Sequence, residues 1–246
     1  MKPAAKFGIA AAVLVVLLGA AGAFWFLRDD APDEVSLDAA VDAAGATTTT
    51  TSPDGSVPPT TAADGDVSGT WNVRIESGEF GSGTFVGFRI VEELVSIGQT
   101  EAVGRTGEVT GEVVIDGTAV TSADIEVDMA SITTNDPRRD GKVQEALETG
   151  QFPTATFSLT EPIDLGDDPA SGQEISATAT GDLTIHGVTR SVQIPLQAQL
   201  VDGAIVLVGS TEVTFSDFDV EVPSAPIVVS VEDTGTLELQ LLLTRG

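Results

Sequence analysis

GDLTIHGVTRSVQIPLQAQLVDGAIVLVGSTEVTF, residues 181–215, alternates apolar and polar side chains across two tight turns. Leu183 and Ile185 stand against Asp182, Thr184 and His186, and Val192, Ile194, Leu196, Ala198 and Leu200 stand against Gln193, Gln197 and Gln199. A period of two puts each set on one face of an extended strand, so these strands are buried on one side only, as in antiparallel sheets. Asp202-Gly203 is a strong short-hairpin signal, because both central residues of a type I′ turn need positive φ; His186-Gly187 is a weaker one.

The same alternation extends in both directions. Ile125, Val127 and Met129 oppose Asp124, Glu126 and Asp128; Val109, Val113 and Ile115 precede an Asp116-Gly117 turn; and Leu237, Leu239, Leu241 and Leu243 oppose Glu238 and Gln240. Strands are expected near 70–77, 83–94, 104–116, 118–131, 154–161, 174–186, 188–202, 204–216 and 235–245, with a weaker candidate at 226–232. So many consecutive antiparallel strands, each with one apolar face, close most economically into an all-β, up-and-down barrel that leaves no sheet edge. One segment departs from the pattern. In PRRDGKVQEALETG, from Pro137, the residues Val143, Ala146 and Leu147 share a helical face, Pro137 suits a first turn, Asn135 or Asp136 a cap, and Gly150 a stop. This is the one short helix expected in the domain.

Composition bounds the chemistry. The 246-residue chain carries 11 Lys plus Arg, 38 Asp plus Glu, one His and no Cys, for a formal charge of -27. That charge repels phosphate backbones, so no nucleic acid partner is expected. The absence of Cys excludes thiolate nucleophiles, Cys-type metal sites and disulfides, and a lone His excludes multi-histidine metal sites. No cofactor or metal is implied.

The rest of the chain divides in two. Residues 7–27 are uncharged and mostly apolar, about 32 Å long as a helix, enough to cross the hydrocarbon core. Lys2 and Lys6 precede this run and Asp29, Asp30, Asp33 and Glu34 follow Arg28, which sets the N-terminus in the cytoplasm and the domain outside. Ala21-Gly22-Ala23 would serve as a signal-peptide cleavage site and a secreted form, but the run continues through the interfacial aromatics Phe24, Trp25 and Phe26, which favours an anchor. Residues 29–68 are acidic, free of bases and rich in Thr and Pro, and are expected to be a disordered spacer. The expected organisation is therefore an anchor at 1–28, a linker at 29–68 and a barrel domain at 69–246.

Two motifs carry a resemblance. VDMASITTNDPRRDGKVQEALETGQFPTATF (127–157) and GDLTIHGVTRSV (181–192), with Gly69-Thr70-Trp71 ahead and VTFSDFDVEVPSAP (213–226) behind, resemble the YceI-like family of exported, lipocalin-like proteins. The resemblance implies an extended antiparallel barrel around an apolar tunnel that binds a polyisoprenoid or similar long-chain lipid. Where many members have a His after the Arg-Asp pair, Gly141 and Lys142 follow Arg139-Asp140 here, and the later basic stretch reads Thr214-Phe215-Ser216-Asp217-Phe218-Asp219. These departures leave a neutral lipid or quinone tail open beside a pyrophosphate-headed one.

The candidate lining comes from the inward sets: Trp71, Phe88, Val113, Val127, Met129, Phe157, Leu183, Ile185, Ile194, Phe215 and Leu239. Phe85 and Phe88 lie an odd number of positions apart, so register decides which of them faces inward. Arg138 and Arg139, on the helix, are candidate head-group contacts, because guanidinium matches phosphate geometry. The favoured alternative is that they, like the other arginines, pair with surface carboxylates; Arg89 is expected to face outward, and His186 to be a surface turn residue. No Gly-x-Ser-x-Gly nucleophile turn is present, so no enzyme activity is expected. The functional expectation is a membrane-anchored extracytoplasmic lipid-binding barrel; the alternative is a cell-envelope interaction domain whose barrel is filled by its own side chains.

Overall fold

The computed structural model describes residues 31–47, 66–75, 83–95, 98–222 and 228–246. The apolar run at 7–27 lies outside them, and among the described residues no helix is long and apolar enough to cross a membrane. The strands are β1 (Gly69–Val73), β2 (Phe85–Leu94), β3 (Gly98–Thr106), β4 (Val109–Asp116), β5 (Ala119–Asp128), β6 (Thr133–Thr134), β7 (Thr154–Leu159), β8 (Ile163–Asp164), β9 (Ile175–Ile185), β10 (Val188–Val201), β11 (Ala204–Thr214), β12 (Val228–Val231) and β13 (Thr234–Arg245). All pairings are antiparallel, and eight strands form a closed ring in the order β1-β4-β5-β7-β9-β10-β11-β13 and back to β1.

The ring is not a simple meander. The β2–β3 hairpin is inserted between β1 and β4, and it leaves the ring as a flap extended by β6 and β12. The reason lies in the outer edge of β13, which is divided: Leu243 and Arg245 pair with β1, whereas Thr236 to Gln240 pair with β2. At the fork the Leu242 N–H donates to the Thr84 hydroxyl at 3.1 Å, and that hydroxyl donates to the Arg74 carbonyl at 2.7 Å. One side chain thus satisfies backbone groups that neither strand reaches. The run expected as a single strand at 104–116 is correspondingly two strands in different places. Its break at Gly107-Glu108 is fixed by the Thr106 hydroxyl, which accepts the Glu108 N–H at 3.1 Å.

Two helices accompany the sheet. The expected one, α2 (Pro137–Ala146), is capped by Asp136, whose carboxylate accepts the Arg138 N–H at 3.0 Å. It stops where Glu148 takes a left-handed φ of 46°, ahead of the expected Gly150. The other, α1 (Leu37–Thr47), falls inside the stretch expected to be a disordered spacer. Ser36 caps it, its hydroxyl accepting the Ala39 N–H at 3.3 Å, and Leu37, Ala40, Val41 and Ala44 form an apolar stripe packed on Val201, Val206, Val208 and Leu242. Residues 31–47 therefore belong to the folded body, and the spacer reading fails for them. The strands beneath α1 are apolar on both faces: Val206, Val208 and Leu242 point out to the helix, while Ile205, Leu207, Leu241 and Leu243 point into the barrel.

Candidate functional site

Inside the ring is a cavity of about 220 Å³. Its wall is the inner face of the period-two pattern. Val113 and Ile115 come from β4, Ile125 and Val127 from β5, Phe157 from β7, Leu183 and Ile185 from β9, Ile194 and Leu196 from β10, and Leu237 and Leu239 from β13. Polar residues are few on this wall. Gln199 donates to the Gly172 carbonyl at 2.9 Å, the Thr211 hydroxyl donates to the Gln193 carbonyl at 3.1 Å, and the Glu238 carboxylate turns to two arginines. The interior thus offers dispersion contacts and an almost wholly apolar surface, the requirement of an alkyl or prenyl chain.

Register settles the Phe pair. Phe88 lies opposite Gly104 and points inward, and an added Cβ on Gly104 would stand 2.5 Å from its ring. Gly181 makes the same allowance for Phe157, at 2.4 Å from the ring. Glycine at these positions lets a ring lie flat over the neighbouring strand, which narrows the cavity without blocking it. Phe85 faces the other way and lies under the Arg105 guanidinium, 4.2 Å from its ring centre.

Of the lining candidates, all but Trp71 and Phe215 border the cavity. Trp71 is buried on the row of Val113 and Arg245; its indole N–H donates to the Val67 carbonyl at 2.8 Å, and Arg245 stacks 5.1 Å from its ring. Phe215 belongs to a second apolar cluster with Phe218 and Val220, packed over Gly235. The head-group candidates do not border the cavity at all. Arg138 is 72% exposed and grips Asp136 in a fork, with contacts of 2.9 and 2.7 Å, and Arg139 pairs with buried Glu92. The Arg138 side chain is the main reason that the Asp136 carboxyl sits below the usual carboxylate range.

His186 departs from expectation. It occupies the β9–β10 turn at φ 54°, but its side chain is only 12% exposed, with the Phe152 ring edge-on at 4.4 Å. Its Nε2 lies 3.4 Å from the Glu148 carboxylate, at a polar cleft that Lys142, Glu145, Asp219 and Glu221 also border.

The outer face of the β13–β2–β3 wall holds what the sequence reading missed. Arg89 and Arg105 do point outward, but they are buried at 6% and 5% exposure, and both pair with Glu238, itself at 2%. Arg89 Nε lies 3.1 Å from one Glu238 oxygen and Arg105 Nη2 2.9 Å from the other, while Arg89 Nη1 reaches Glu101 at 2.5 Å. Gly87, between them, has no side chain to obstruct Arg105: a Cβ there would stand 2.8 Å from Arg105 Cγ. Residues 32 and 33 form the roof, with Arg89 donating to the Pro32 carbonyl at 2.8 Å and Arg105 to the Asp33 carbonyl at 3.2 Å. Burial works against the Arg89 charge, yet the hydrogen bonds and charges of Glu238 and Glu101 outweigh it and hold its pKa above the ordinary arginine value.

Residues 80–243 match the YceI-like domain family. A UPF0312 protein of Vibrio parahaemolyticus is 28% identical over 141 residues, which cover 52% of this chain and 70% of that protein. Protein YceI of Escherichia coli is 31% identical over 125 residues, covering 49% of this chain and 58% of that protein. Among solved structures, a polyisoprenoid binding domain from Saccharophagus degradans superposes with a TM-score of 0.50 at 16% identity, over 66% of this chain and 94% of that domain. At that identity the likeness concerns the fold.

Proposed function

The chain belongs to the YceI-like domain family, and on that premise we propose that it is a binding protein that holds a long apolar chain, of isoprenoid or other lipid class, in its barrel. We further propose that residues 7–27 anchor it in the membrane, with the barrel on the extracytoplasmic side. The observation that carries the binding reading is the apolar cavity of about 220 Å³ inside the closed ring. A barrel filled by its own side chains, the interaction-domain alternative, would leave no such space. The description of the Saccharophagus degradans domain as polyisoprenoid binding supports the ligand class. The volume is slightly below the range of about 300–1,000 Å³ usual for ligand pockets, which favours a single slender chain over a bulky ring system.

The test pairs ligand with stability. At a hundredfold excess over Kd, a ligand that binds only the folded state adds about 2.7 kcal/mol. That corresponds to a rise in Tm of roughly 5–11 °C at about 2–4 °C per kcal/mol for a domain of this size. Polyprenyl alcohols should produce this shift, and organic extraction of protein purified from its host should release a lipid detectable by mass spectrometry. Ala179→Phe, which puts a ring into the cavity from a buried wall position, should abolish the shift while leaving the unliganded Tm equal or higher. No extracted lipid together with no shift from any polyprenyl compound would refute the binding reading.

A further inference from the structure

Residues 31–47 stand at a junction that neither the barrel nor the apolar run explains alone. The Pro32 and Asp33 carbonyls are bound by Arg89 and Arg105 on the outer face of the β13–β2–β3 wall, and α1 continues from there across β10, β11 and β13. The apolar run ends at Leu27, so four residues, or five Cα–Cα steps, separate it from the first contact with the barrel at Pro32. Fully extended, those five steps span about 17 Å at roughly 3.4 Å per residue. A free spacer covering all of 29–68 would instead have a root-mean-square reach of about 35 Å and no preferred orientation.

We propose that residues 31–47 are a docked strap that holds the barrel against the bilayer surface, with the outer face of β2 and β3 turned toward the lipid. This rests on the membrane-anchor reading of residues 7–27 and adds to it a distance and an orientation. The charge balance gives the strap its purpose. A chain of formal charge -27 on a long free tether would be driven from anionic head groups, and the acidic residues at 29, 30, 33 and 34 would add to that repulsion. Two buried guanidinium groups and an apolar helix face oppose it by fixing the near end of the tether to the domain. The acidic Thr/Pro stretch that follows α1 then joins two points on the same body, since Val67 and Trp71, just after it, are buried in the barrel core. It sets no distance between barrel and membrane. The bilayer becomes the partner of one defined wall of the barrel, within reach for the uptake of an apolar ligand.

The chain has no Cys, so single-cysteine labelling is clean. Glu93→Cys places a donor dye on the same outward face of β2 as Arg89, and Glu126→Cys places one on the outside of β5, across the ring; both positions are exposed. Full-length protein is reconstituted into phosphatidylcholine–phosphatidylglycerol nanodiscs that carry acceptor-labelled lipid. The expected result is higher energy transfer from position 93 than from 126, and loss of that difference on undocking by Leu37→Asp or, independently, by the helix-breaking Ala43→Pro. Circular dichroism confirms the barrel in whichever variant is used. Equal transfer from the two sites with the strap intact, or a difference that survives both undocking variants, overturns the proposal. Failure of the full-length chain to incorporate into nanodiscs overturns the anchor reading itself, and this inference with it.

Discussion

Glu238→Ala should be among the most damaging single changes in the barrel, although the residue lies at no turn and its carboxylate points away from the cavity. The carboxylate is 2% exposed and is shared by two guanidinium groups at 6% and 5% exposure. Removing it leaves Arg89 with the Pro32 carbonyl and with Glu101, which sits at the 36%-exposed rim, and leaves Arg105 with the Asp33 carbonyl at 3.2 Å and the face of Phe85. Breaking a buried ion pair by deleting one partner costs about 3–5 kcal/mol, because the stranded charge remains desolvated. Against a total stability of about 5–15 kcal/mol this is a large fraction. At roughly 2–4 °C per kcal/mol it lowers Tm by about 6–20 °C. Urea titration gives the same quantity as a shift in midpoint at unchanged slope, and exposed Glu93→Ala serves as a control that should stay within about 0.5 kcal/mol of wild type. Because the same guanidinium groups hold Pro32 and Asp33, a double-mutant cycle of Glu238→Ala with Leu37→Ala should show a coupling of about 0.5–3 kcal/mol. A loss below about 1 kcal/mol for Glu238→Ala would mean that the cluster is solvated and that the strap does not roof it, which would refute the reasoning.

Gly104→Ala should cost about 1–3 kcal/mol by overpacking against the Phe88 ring, and the cost should shrink in a Phe88→Leu background, as measured by denaturant midpoints. Leu37→Ala, on the buried face of α1 at 5% exposure, should lower stability by about 2–5 kcal/mol; a chain indifferent to it would show that α1 contributes nothing to the folded body. Asp136 contributes to stability in a pH-dependent way. Its folded pKa is depressed by the Arg138 side chain and the Arg138 backbone N–H, so its contribution is complete above the ordinary aspartate pKa of about 3.9 and is lost as pH falls through the lower folded value. Asp136→Asn, which keeps a capping oxygen without the charge, should therefore be less stable than wild type at neutral pH and converge with it at strongly acidic pH.

The barrel was legible because its strands obey one rule over long stretches. The turns at His186-Gly187 and Asp202-Gly203 do take positive φ at both residues, 54° and 75° in the first and 49° and 80° in the second. The wall positions chosen by alternation from Val113 to Leu239 border the cavity for the same reason: parity propagates along a paired strand, and a slip would have moved all of them together. Trp71 and Phe215 have the right parity or composition but lie near the ends of the barrel wall, where other elements claim the side chain. For Arg138 and Arg139 the carboxylate alternative is the one the structure shows, and their partners Asp136 and Glu92 are set by the fold and not by residue type.

What was missed had a signal of its own, hidden by the rule that served elsewhere. In LELQLLLT the alternation Leu237, Leu239, Leu241, Leu243 is interrupted by Leu242, and in AIVLV both parities are apolar. A strand that is apolar on both faces is covered on both faces. For β11 and β13 one cover is the cavity, so a second element had to lie outside. The only uncommitted stretch with helical spacing was Leu37, Ala40, Val41 and Ala44, preceded by Ser36 as a cap. Its acidic, Thr/Pro-rich surroundings carried it into the spacer by composition, although the stripe itself contains neither Thr nor Pro. Glu238 follows from the same parity. It faces outward beneath residues 32 and 33 in an acid-rich chain, and a carboxylate covered in that position requires a cation on a neighbouring strand. Arg89 and Arg105, on the two strands next to β13 in the flap, are within reach only because Gly87 leaves the row between them open.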